Sequence, residues 1–458
     1  MILGYLSIYQ KDCNTQKFTK SVSPIFKNKQ LKIGRNADMC DIVISNPVVS
    51  NLHCKVWGVK FDEQSVPNVY LQDVSLNGTI IYEKDKKTAF LINKYQFIML
   101  KNNDESQYIS FPKLKNSTYL KFHSLKEYRN DKLIGASLDL FFENLQIEQN
   151  IDANWKIVPQ IVGSGTFGLV MICERTNSKR EEKLFCAVKI VKHKQNIKIS
   201  KESQILLNLK HPNIINIFST KTDEYGNIYL FQDLICGGDL FSYLAKGNCL
   251  TPLPEDESLI IVYQILMALK YLHSKGVVHR DLKLDNILLR TPEPCTKIVL
   301  ADFGIAKDIE NIRTNRLHTV VGTPEYCAPE VGFRASRSLY KQVSRATTKS
   351  IVDEIGYNYK CDLWSLGVVT HIILTGISPF YGDGTEMCII ENVKSGKLNF
   401  SLAQWSVVSV HAKNFVSKLL NVNIEERLTS QQALTHLWIS KHRVYLEEIY
   451  KFKILAEE

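Results

Sequence analysis

Short apolar runs separated by turn-forming residues fill the first quarter of the chain. Turn signals such as Ser45-Asn-Pro47 and Leu76-Asn-Gly78 stand between them. Regularly spaced short strands of this kind predict an all-β sandwich over residues 1–113. The predicted strands are Leu31–Gly34, Asp41–Ser45, Cys54–Val59, Val69–Gln72, Thr79–Tyr82 and Tyr95–Met99.

From Trp155 onward the pattern changes from strands to long helices. The pattern is apolar on nearly every face of one helix, Asp362–Leu374, which predicts a buried central helix. A small β-rich lobe followed by a larger helical lobe predicts an α+β fold over residues 153–440. Residues 114–152 are predicted to form a linker with one helix, and residues 441–458 a short tail. The other predicted elements are strands Trp155–Ile161, Leu169–Glu174 and Phe185–Val191 and helix Asp256–His273.

Composition narrows the class of protein. The chain has 458 residues, of which 45% are hydrophobic, and no apolar run reaches the ~18 residues that a membrane span needs. Its eleven cysteines are never spaced as CxxC, which argues against a zinc knuckle or a disulfide framework. The net charge of +10 is spread along the chain, and no nucleic-acid-binding motif accompanies it. We therefore expect a multidomain protein with no membrane and no direct nucleic-acid partner.

A glycine-rich turn joins the first two strands of the second domain. Gly163, Gly165, Gly168 and Val170 form the pattern GxGxxGxV. Glycines let backbone N–H groups approach phosphates without a Cβ in the way. The next element is a strand, which argues against a Walker loop or a dinucleotide-binding turn. Taken alone, the motif is also compatible with an ordinary glycine hairpin.

Polar side chains at fixed spacing suggest phosphoryl transfer. Lys189 follows Ala187 on an apolar strand, and Glu202 on the next predicted helix is placed to pair with it. In the segment His279–Asn286, Asp281 is a candidate proton acceptor and Lys283 a candidate cation beside the transferred phosphate. Asn286 and Asp302 supply oxygen ligands suited to Mg²⁺. Such groups around apolar strands are costly unless a metal or substrate uses them.

These ordered motifs resemble the eukaryotic protein kinase family over about residues 155–438. Further family marks are Cys327–Glu330 and Asp362–Gly367, together with Arg427, which is placed to pair with Glu330. It implies transfer of the ATP γ-phosphate to protein substrates, with Mg²⁺ as cofactor. Lys283 and the segment Gly322–Tyr326 imply Ser/Thr substrates. The resemblance implies ATP contacts at Gly163, Gly165, Gly168, Val170, Ala187, Lys189, Glu202, Asp233, Ile235, Asp239 and Leu288.

The resemblance also implies regulation and a substrate preference. Arg280 would pair with a phosphate in the activation segment, where Thr319 is the favoured phosphorylation site and Thr323 the second, added by another copy in trans. Acids at Asp239 and Asp285 imply a preference for Arg three residues before the target.

Two features depart from the family pattern. Gln232 stands where the family commonly has an apolar residue or Thr. Residues 331–350 form a basic insert without an acid, which is a flexible insert, an autophosphorylation segment or an anionic docking site.

Three short motifs in the N-terminal sandwich resemble the forkhead-associated (FHA) domain. They are Gly34-Arg35, Ser50–His53 and Asn77-Gly78, each beside a predicted strand. Arg35 offers a fork of donors to phosphate oxygens, and Ser50 adds a hydroxyl donor. Asn77 would hydrogen-bond the ligand backbone, and the family's target is phosphothreonine.

An FHA domain before a Ser/Thr kinase resembles the checkpoint kinase family. Three segments, residues 231–246, 289–296 and 375–384, resemble the meiosis-specific branch of that family in budding yeasts. That resemblance implies a nuclear kinase recruited to a phosphorylated chromosome-axis protein, acting in meiotic recombination partner choice. The alternatives are a mitotic DNA-damage checkpoint kinase and an inactive phosphothreonine-binding adaptor.

Overall fold

The chain forms two compact units in a computed structural model. The first comprises residues 1–208, 216–238 and 289–293, and the second residues 209–215, 239–288 and 294–458. The structure describes residues 1–12, 15–60, 66–83, 88–100, 107–114, 117–125, 142–143, 145–151, 155–165, 168–177, 182–191, 207–247, 249–302, 323–332 and 359–455.

Two β-sheets face each other in the N-terminal part of the first unit. In order, one contains β2 (Phe18–Phe26), β1 (Ile2–Lys11), β11 (Thr118–Ser124), β10 (Gln107–Ser110), β7 (Thr79–Glu83) and β8 (Thr88–Ile92). The other contains β4 (Ile42–Val43), β3 (Leu31–Gly34), β5 (Cys54–Val59), β6 (Asn68–Asp73) and β9 (Phe97–Leu100). The predicted sandwich is therefore confirmed.

Apolar side chains from both sheets form one core. Leu6 and Leu120 from the first sheet pack in the same cluster as Ile33, Val56 and Leu71 from the second. The period of two along each strand explains this, since alternate side chains lie on the same face of a sheet. Burial of these groups joins the two sheets.

Strands β1, β2, β8, β10 and β11 were not predicted from the sequence. In β2 all residues from Phe18 to Val22 are exposed, so the strand lacks the apolar alternation that would mark it. Strand β11 lies within residues 114–152, which the sequence suggested to be a linker. It pairs with β1 through seven residues, from Gly4↔Ser124 to Gln10↔Thr118, and therefore belongs to the sandwich.

A second five-stranded sheet completes the first unit. Its order is β12 (Trp155–Gly165), β13 (Gly168–Asn177), β14 (Glu182–Val191), β16 (Ile228–Gln232) and β15 (Ile217–Thr222). Its apolar face buries Ile157, Met171, Val188 and Phe231. The three predicted strands from Trp155 to Val191 are therefore present, and the helix predicted near residue 138 falls mostly outside the described residues.

The second unit is mainly helical, as predicted. Its helices are α1 (Leu240–Leu244), α2 (Glu255–Ser274), α3 (Pro329–Gly332), α4 (Lys360–Thr375), α5 (Glu386–Ser395), α6 (Val410–Leu419), α7 (Ser430–Thr435), α8 (Leu437–Ser440) and α9 (Arg443–Ile449). Single turns of 3₁₀ helix cover Leu284–Asn286, Thr323–Tyr326 and Ala403–Trp405, and a π turn covers Tyr450–Ile454. Short strands are β17 (Ala245–Lys246), β18 (Cys249–Leu250), β19 (Ile287–Leu289) and β20 (Ile298–Leu300).

Helix α4 forms the centre of the second unit. All its residues from Cys361 to Thr375 are buried, and the Trp364 ring stacks on Phe380 at 5.4 Å between centroids. The helix ends at Gly376, whose φ of 72° is left-handed and where a Cβ would lie 2.4 Å from the Leu250 carbonyl oxygen. The predicted central buried helix is therefore confirmed. Among the described helices, none has the length and apolar character to cross a membrane.

Candidate active site and phosphopeptide site

The buried carboxylate of Asp362 organises the candidate catalytic loop. It accepts hydrogen bonds from the backbone N–H of His279 at 3.0 Å and of Arg280 at 2.9 Å, and it contacts His273 Nε2 at 2.9 Å. Burial raises the pKa of Asp362. The hydrogen bond with His273 and the charges of the nearby imidazoles lower it by more than burial raises it, so the pKa lies below the ordinary value. Arg280 has a left-handed φ of 70°, a conformation that costs energy and that these two bonds stabilise.

Two neighbours orient the Asp281 side chain. Lys283 Nζ lies 3.1 Å from Asp281 Oδ2, and Asn286 Nδ2 donates to the same oxygen at 2.9 Å. Asn286 Nδ2 also donates to the Asp281 carbonyl oxygen at 2.7 Å. The structure thus brings together the predicted proton acceptor, cation and amide ligand on one short loop.

Asp302, the second predicted Mg²⁺ ligand, follows strand β20. It is half-buried and has a left-handed φ of 56°, a strained backbone conformation for a non-glycine residue. His279 lies fully buried nearby, and burial lowers the pKa of its imidazole although the charges of Asp362, Asp281 and Asp302 raise it. The Asn286 amide group donates its N–H to Asp281, so its oxygen stays an acceptor. An amide oxygen and a carboxylate, here that of Asp302, are ligand types that fit Mg²⁺.

The glycine turn and Lys189 lie in the first unit. Gly163 pairs with Val170 and Gly165 with Gly168 across β12 and β13. A Cβ on Gly168 would lie 2.2 Å from the Ile190 carbonyl oxygen, so only glycine fits there. Lys189 is buried on β14, two residues after Ala187, and is in register with Val170 of β13. Glu202, its predicted partner, lies outside the described residues.

Asp239, a predicted ATP contact, caps helix α1. Its carboxylate accepts from Ser242 N at 2.7 Å and from Ser242 Oγ at 3.0 Å. Burial raises the pKa of Asp239 to about 6, against the lowering effect of these hydrogen bonds. Its contact with ATP stays a prediction.

Other predicted site residues differ in exposure. Asp285, the second acid predicted to select Arg in the substrate, is exposed, and Arg280 is exposed as well. Leu288, a predicted ATP contact, is half-buried on β19.

The activation segment is described only at its end. Thr319 and residues 333–350 of the basic insert lie outside the described residues, and Thr323 begins the 3₁₀ turn Thr323–Tyr326. In that turn Glu325 accepts a hydrogen bond from Ser378 Oγ, and burial raises the pKa of Glu325 to about 7 despite this bond. This buried carboxyl was not predicted from the sequence.

A buried ion pair holds helix α3, as the family marks predict. Arg427 Nη1 and Nη2 lie 2.7 and 3.1 Å from the two Glu330 carboxylate oxygens. The guanidinium also donates to the carbonyl oxygens of Lys360 and Asn421, both at 3.0 Å, and lies 5.0 Å from the centre of the Trp364 ring. The bidentate geometry and full burial of Arg427 make this pair a structural anchor.

Arg427→Met is expected to lower the free energy of unfolding of the second unit by about 3 kcal/mol, because it leaves a charge and two carbonyls unpaired. Chemical denaturation followed by circular dichroism measures the change. The matched control is Arg443→Met, since the Arg443–Glu447 pair is exposed and should contribute little. Equal midpoints for the two variants would contradict the anchoring role.

Three loops of the sandwich bring together the predicted phosphopeptide residues. The Arg35 N–H donates to the Ser50 carbonyl oxygen at 2.9 Å, joining the β3–β4 and β4–β5 loops. Ser50 Oγ accepts from Leu76 N at 3.3 Å, and Asn77 Nδ2 donates to the Val48 carbonyl oxygen at 2.9 Å, which ties in the β6–β7 loop. Arg35 and Asn77 are exposed and Ser50 is half-buried. The arrangement offers a guanidinium, a hydroxyl and an amide on one surface.

The buried side chain of His53 joins two of these loops through hydrogen bonds. Its Nδ1 accepts from Ser50 N at 3.1 Å, so its Nε2 carries the proton and donates to the Gly78 carbonyl oxygen at 3.1 Å. Burial lowers the pKa of His53, which favours this neutral form, although the hydrogen bond to Gly78 and the charge of Asp73 oppose the shift. The neutral imidazole therefore makes one hydrogen bond to each of the two loops.

Comparison with known families assigns the chain. The protein kinase domain family matches residues 157–439 and the FHA domain family matches residues 31–111. The chain therefore belongs to the protein kinase family, and it is an FHA-containing serine/threonine protein kinase.

Among its relatives, it is 51% identical over 448 residues to the meiosis-specific serine/threonine-protein kinase MEK1 of Saccharomyces cerevisiae, covering 96% of this chain and 86% of that protein. The meiosis-specific serine/threonine-protein kinase mek1 of Schizosaccharomyces pombe is 32% identical over 446 residues, covering 95% and 87% of the two chains. The crystal structure of Rad53 1-466 in complex with AMP-PNP has a similar fold, with a TM-score of 0.51 and 23% identity, and covers 95% of this chain and 100% of that one.

Proposed function

We propose that this kinase acts in meiosis, where its FHA domain recruits it to a phosphothreonine on a chromosome-axis protein in the nucleus. The observation that carries the recruitment is the joined surface of Arg35, Ser50 and Asn77. The meiotic assignment is supported by the names of the two meiosis-specific relatives, which match nearly the whole chain. A mitotic checkpoint role has the same chemistry, and the time of expression distinguishes it.

The geometry of the catalytic loop supports the following transfer step. Asp281 accepts a hydrogen bond from the substrate Ser or Thr hydroxyl and takes its proton as the hydroxyl oxygen bonds to the γ-phosphorus. The bond from that phosphorus to the bridging oxygen breaks, and ADP leaves. Lys283 Nζ, held 3.1 Å from Asp281, places positive charge beside the transferred group.

Other residues bind the nucleotide. The backbone N–H groups around Gly163 and Gly168 would contact the phosphates, and the Lys189 ammonium would hold the α- and β-phosphates. Asp233 and Ile235 would contact the adenine. Asn286 and Asp302 would hold Mg²⁺, which neutralises charge on the phosphates when bound.

Activation by phosphorylation completes the proposal. A phosphate on Thr319 would pair with the exposed Arg280, whose backbone Asp362 already holds in place. Recruitment of several copies to one axis protein raises their local concentration and favours transfer in trans to Thr319 and Thr323. Mass spectrometry of the autophosphorylated protein maps these two sites.

A matrix of four peptides tests recruitment and substrate preference together. Each carries Arg or Ala three residues before the target Thr, and each is joined through a flexible linker to a phosphothreonine segment or its unphosphorylated form. We expect about tenfold higher kcat/KM with Arg, as one charge-assisted contact provides. We expect at least a further tenfold gain with the phosphothreonine segment, because binding becomes intramolecular.

Competition separates the two effects. An excess of free phosphothreonine peptide should remove the gain from the linked segment and leave the effect of Arg unchanged. Equal rates with phosphorylated and unphosphorylated segments would contradict recruitment, and equal rates with Arg and Ala would contradict the substrate preference.

A further inference from the structure

One face of the FHA domain is buried against the kinase strands of the same unit. Trp57, Val59 and Tyr70 are at most 1% exposed although they do not belong to the sandwich core. They form instead a separate apolar cluster with kinase residues. The buried members of this cluster are Trp57, Val59, Tyr70, Met99, Val162, Ile172 and Cys236.

A hydrogen bond from Trp57 lies within this cluster. Its indole Nε1 donates to the Cys236 carbonyl oxygen at 2.9 Å, and both residues are buried. Cys236 directly follows Ile235, one of the two proposed adenine contacts. A buried carbonyl needs a donor, and here the FHA domain supplies it. We use the name adenine segment for residues 233–238.

Backbone hydrogen bonds with Leu289 hold Gly237 and Gly238 of the adenine segment. Gly237 N donates to the Leu289 carbonyl oxygen and Leu289 N donates to that of Gly238, both at 2.8 Å. Gly238 has a left-handed φ of 81°, and a Cβ there would lie 3.1 Å from Val59 Cγ1. Contacts from residue 289 and from the FHA domain together leave the peptide planes at 236–238 little freedom to rotate.

Charged and polar side chains lie at the rim of the apolar cluster. Lys55 Nζ lies 3.0 Å from Glu293 Oε1, and the Arg290 guanidinium lies 4.4 Å from the centre of the Phe97 ring. Asn68 Oδ1 accepts a hydrogen bond from Gln160 Nε2. A buried apolar centre with a polar rim is the composition of a specific protein interface.

We infer that Trp57 is a positioning residue for ATP, because it fixes the peptide next to the adenine contacts from the FHA side. This inference rests on the proposed contacts of Asp233 and Ile235. The strands that form the interface are β5, β6 and β9, whereas Arg35, Ser50 and Asn77 lie on loops. Phosphopeptide binding and adenine positioning therefore use different parts of the same domain.

The test is Trp57→Phe in the full-length protein, which keeps an aromatic ring but removes the N–H. We expect the KM for ATP to rise about fivefold or more, since a buried carbonyl loses its donor, while kcat changes less than twofold. Inorganic tripolyphosphate, which lacks adenine, should inhibit the wild type and the variant equally. An unchanged affinity for phosphothreonine peptide shows that the FHA domain is folded.

The outcomes are distinguishable. A purely structural role for Trp57 would lower kcat through a smaller active fraction and leave the KM unchanged, which would overturn the inference. Ile235→Pro removes the backbone N–H of a proposed adenine contact and serves as the reference. If Ile235→Pro raises the KM and Trp57→Phe does not, the inference fails alone. If neither raises it, the proposed adenine contacts fail as well.

A charge-swapped pair tests the interface independently of Trp57. Lys55→Glu alone should raise the KM for ATP by placing two acids together at the rim. Adding Glu293→Lys should restore the wild-type KM, because the pair is re-formed with its charges exchanged. No effect of Lys55→Glu, or no rescue by the second change, would count against docking of the FHA domain at this position.

Discussion

Asp281→Asn is expected to reduce kcat by about 10²–10⁴-fold while nucleotide binding persists, because general-base assistance is lost. The amide has nearly the same shape as the carboxylate but cannot take the hydroxyl proton. It also replaces one of the two carboxylate oxygens with an NH₂ group, whereas in the native loop Lys283 and Asn286 both contact the oxygen Oδ2. Transfer of labelled phosphate to an Arg-x-x-Thr peptide measures the loss.

Two controls make this result specific. Glu448→Gln changes an exposed acid of the same unit and should leave the rate unchanged. Stabilisation of the Asp281→Asn variant by ATP on heating shows that the nucleotide still binds. A variant that kept more than a tenth of the wild-type rate would show that Asp281 is not the proton acceptor.

Arg35→Ala is expected to weaken binding of a phosphothreonine peptide by about 100-fold, because two charge-assisted hydrogen bonds to phosphate are lost. Ser50→Ala should have a smaller effect. Ser50 Oγ accepts from Leu76 N, so its own proton is available to a phosphate oxygen, and only this neutral donor is removed. Fluorescence anisotropy with a labelled peptide gives both dissociation constants.

The control for Arg35→Ala is another exposed cation of the same domain. Lys17→Ala lies in the β1–β2 connection and should keep wild-type affinity. If the two variants lost the same amount of affinity, the loss would reflect net charge and not a site at Arg35. The unphosphorylated peptide should bind neither variant nor the wild type.

Local motifs were enough to predict which residues of the catalytic loop and of the phosphopeptide loops lie close together, while their roles stay predictions. Asp281, Lys283 and Asn286 lie within six residues, so one turn of chain determines their geometry. Arg35, Ser50 and Asn77 are further apart, but each follows a strand whose pattern is visible. Both groups were predicted and both are brought together by the structure.

Contacts between distant parts of the chain were not predictable in this way. Trp57 donates to a carbonyl 179 residues away, and nothing in the pattern around Trp57 distinguishes it from a core residue. Asp362 was recognised at the start of a helix, but its hydrogen bonds to His279 and Arg280 depend on how that helix packs. Tertiary packing, which local periodicity does not encode, determines both.

The pairing of β11 with β1 has a practical consequence for dissecting the chain. Strand β11 lies between β1 and β10, so it closes a sheet that the first strand of the domain begins. A fragment ending at residue 113, the predicted boundary, would leave the facing edges of β1 and β10 without hydrogen-bond partners. Open edges of this kind pair with other chains and promote aggregation. An isolated FHA fragment should therefore extend to residue 125.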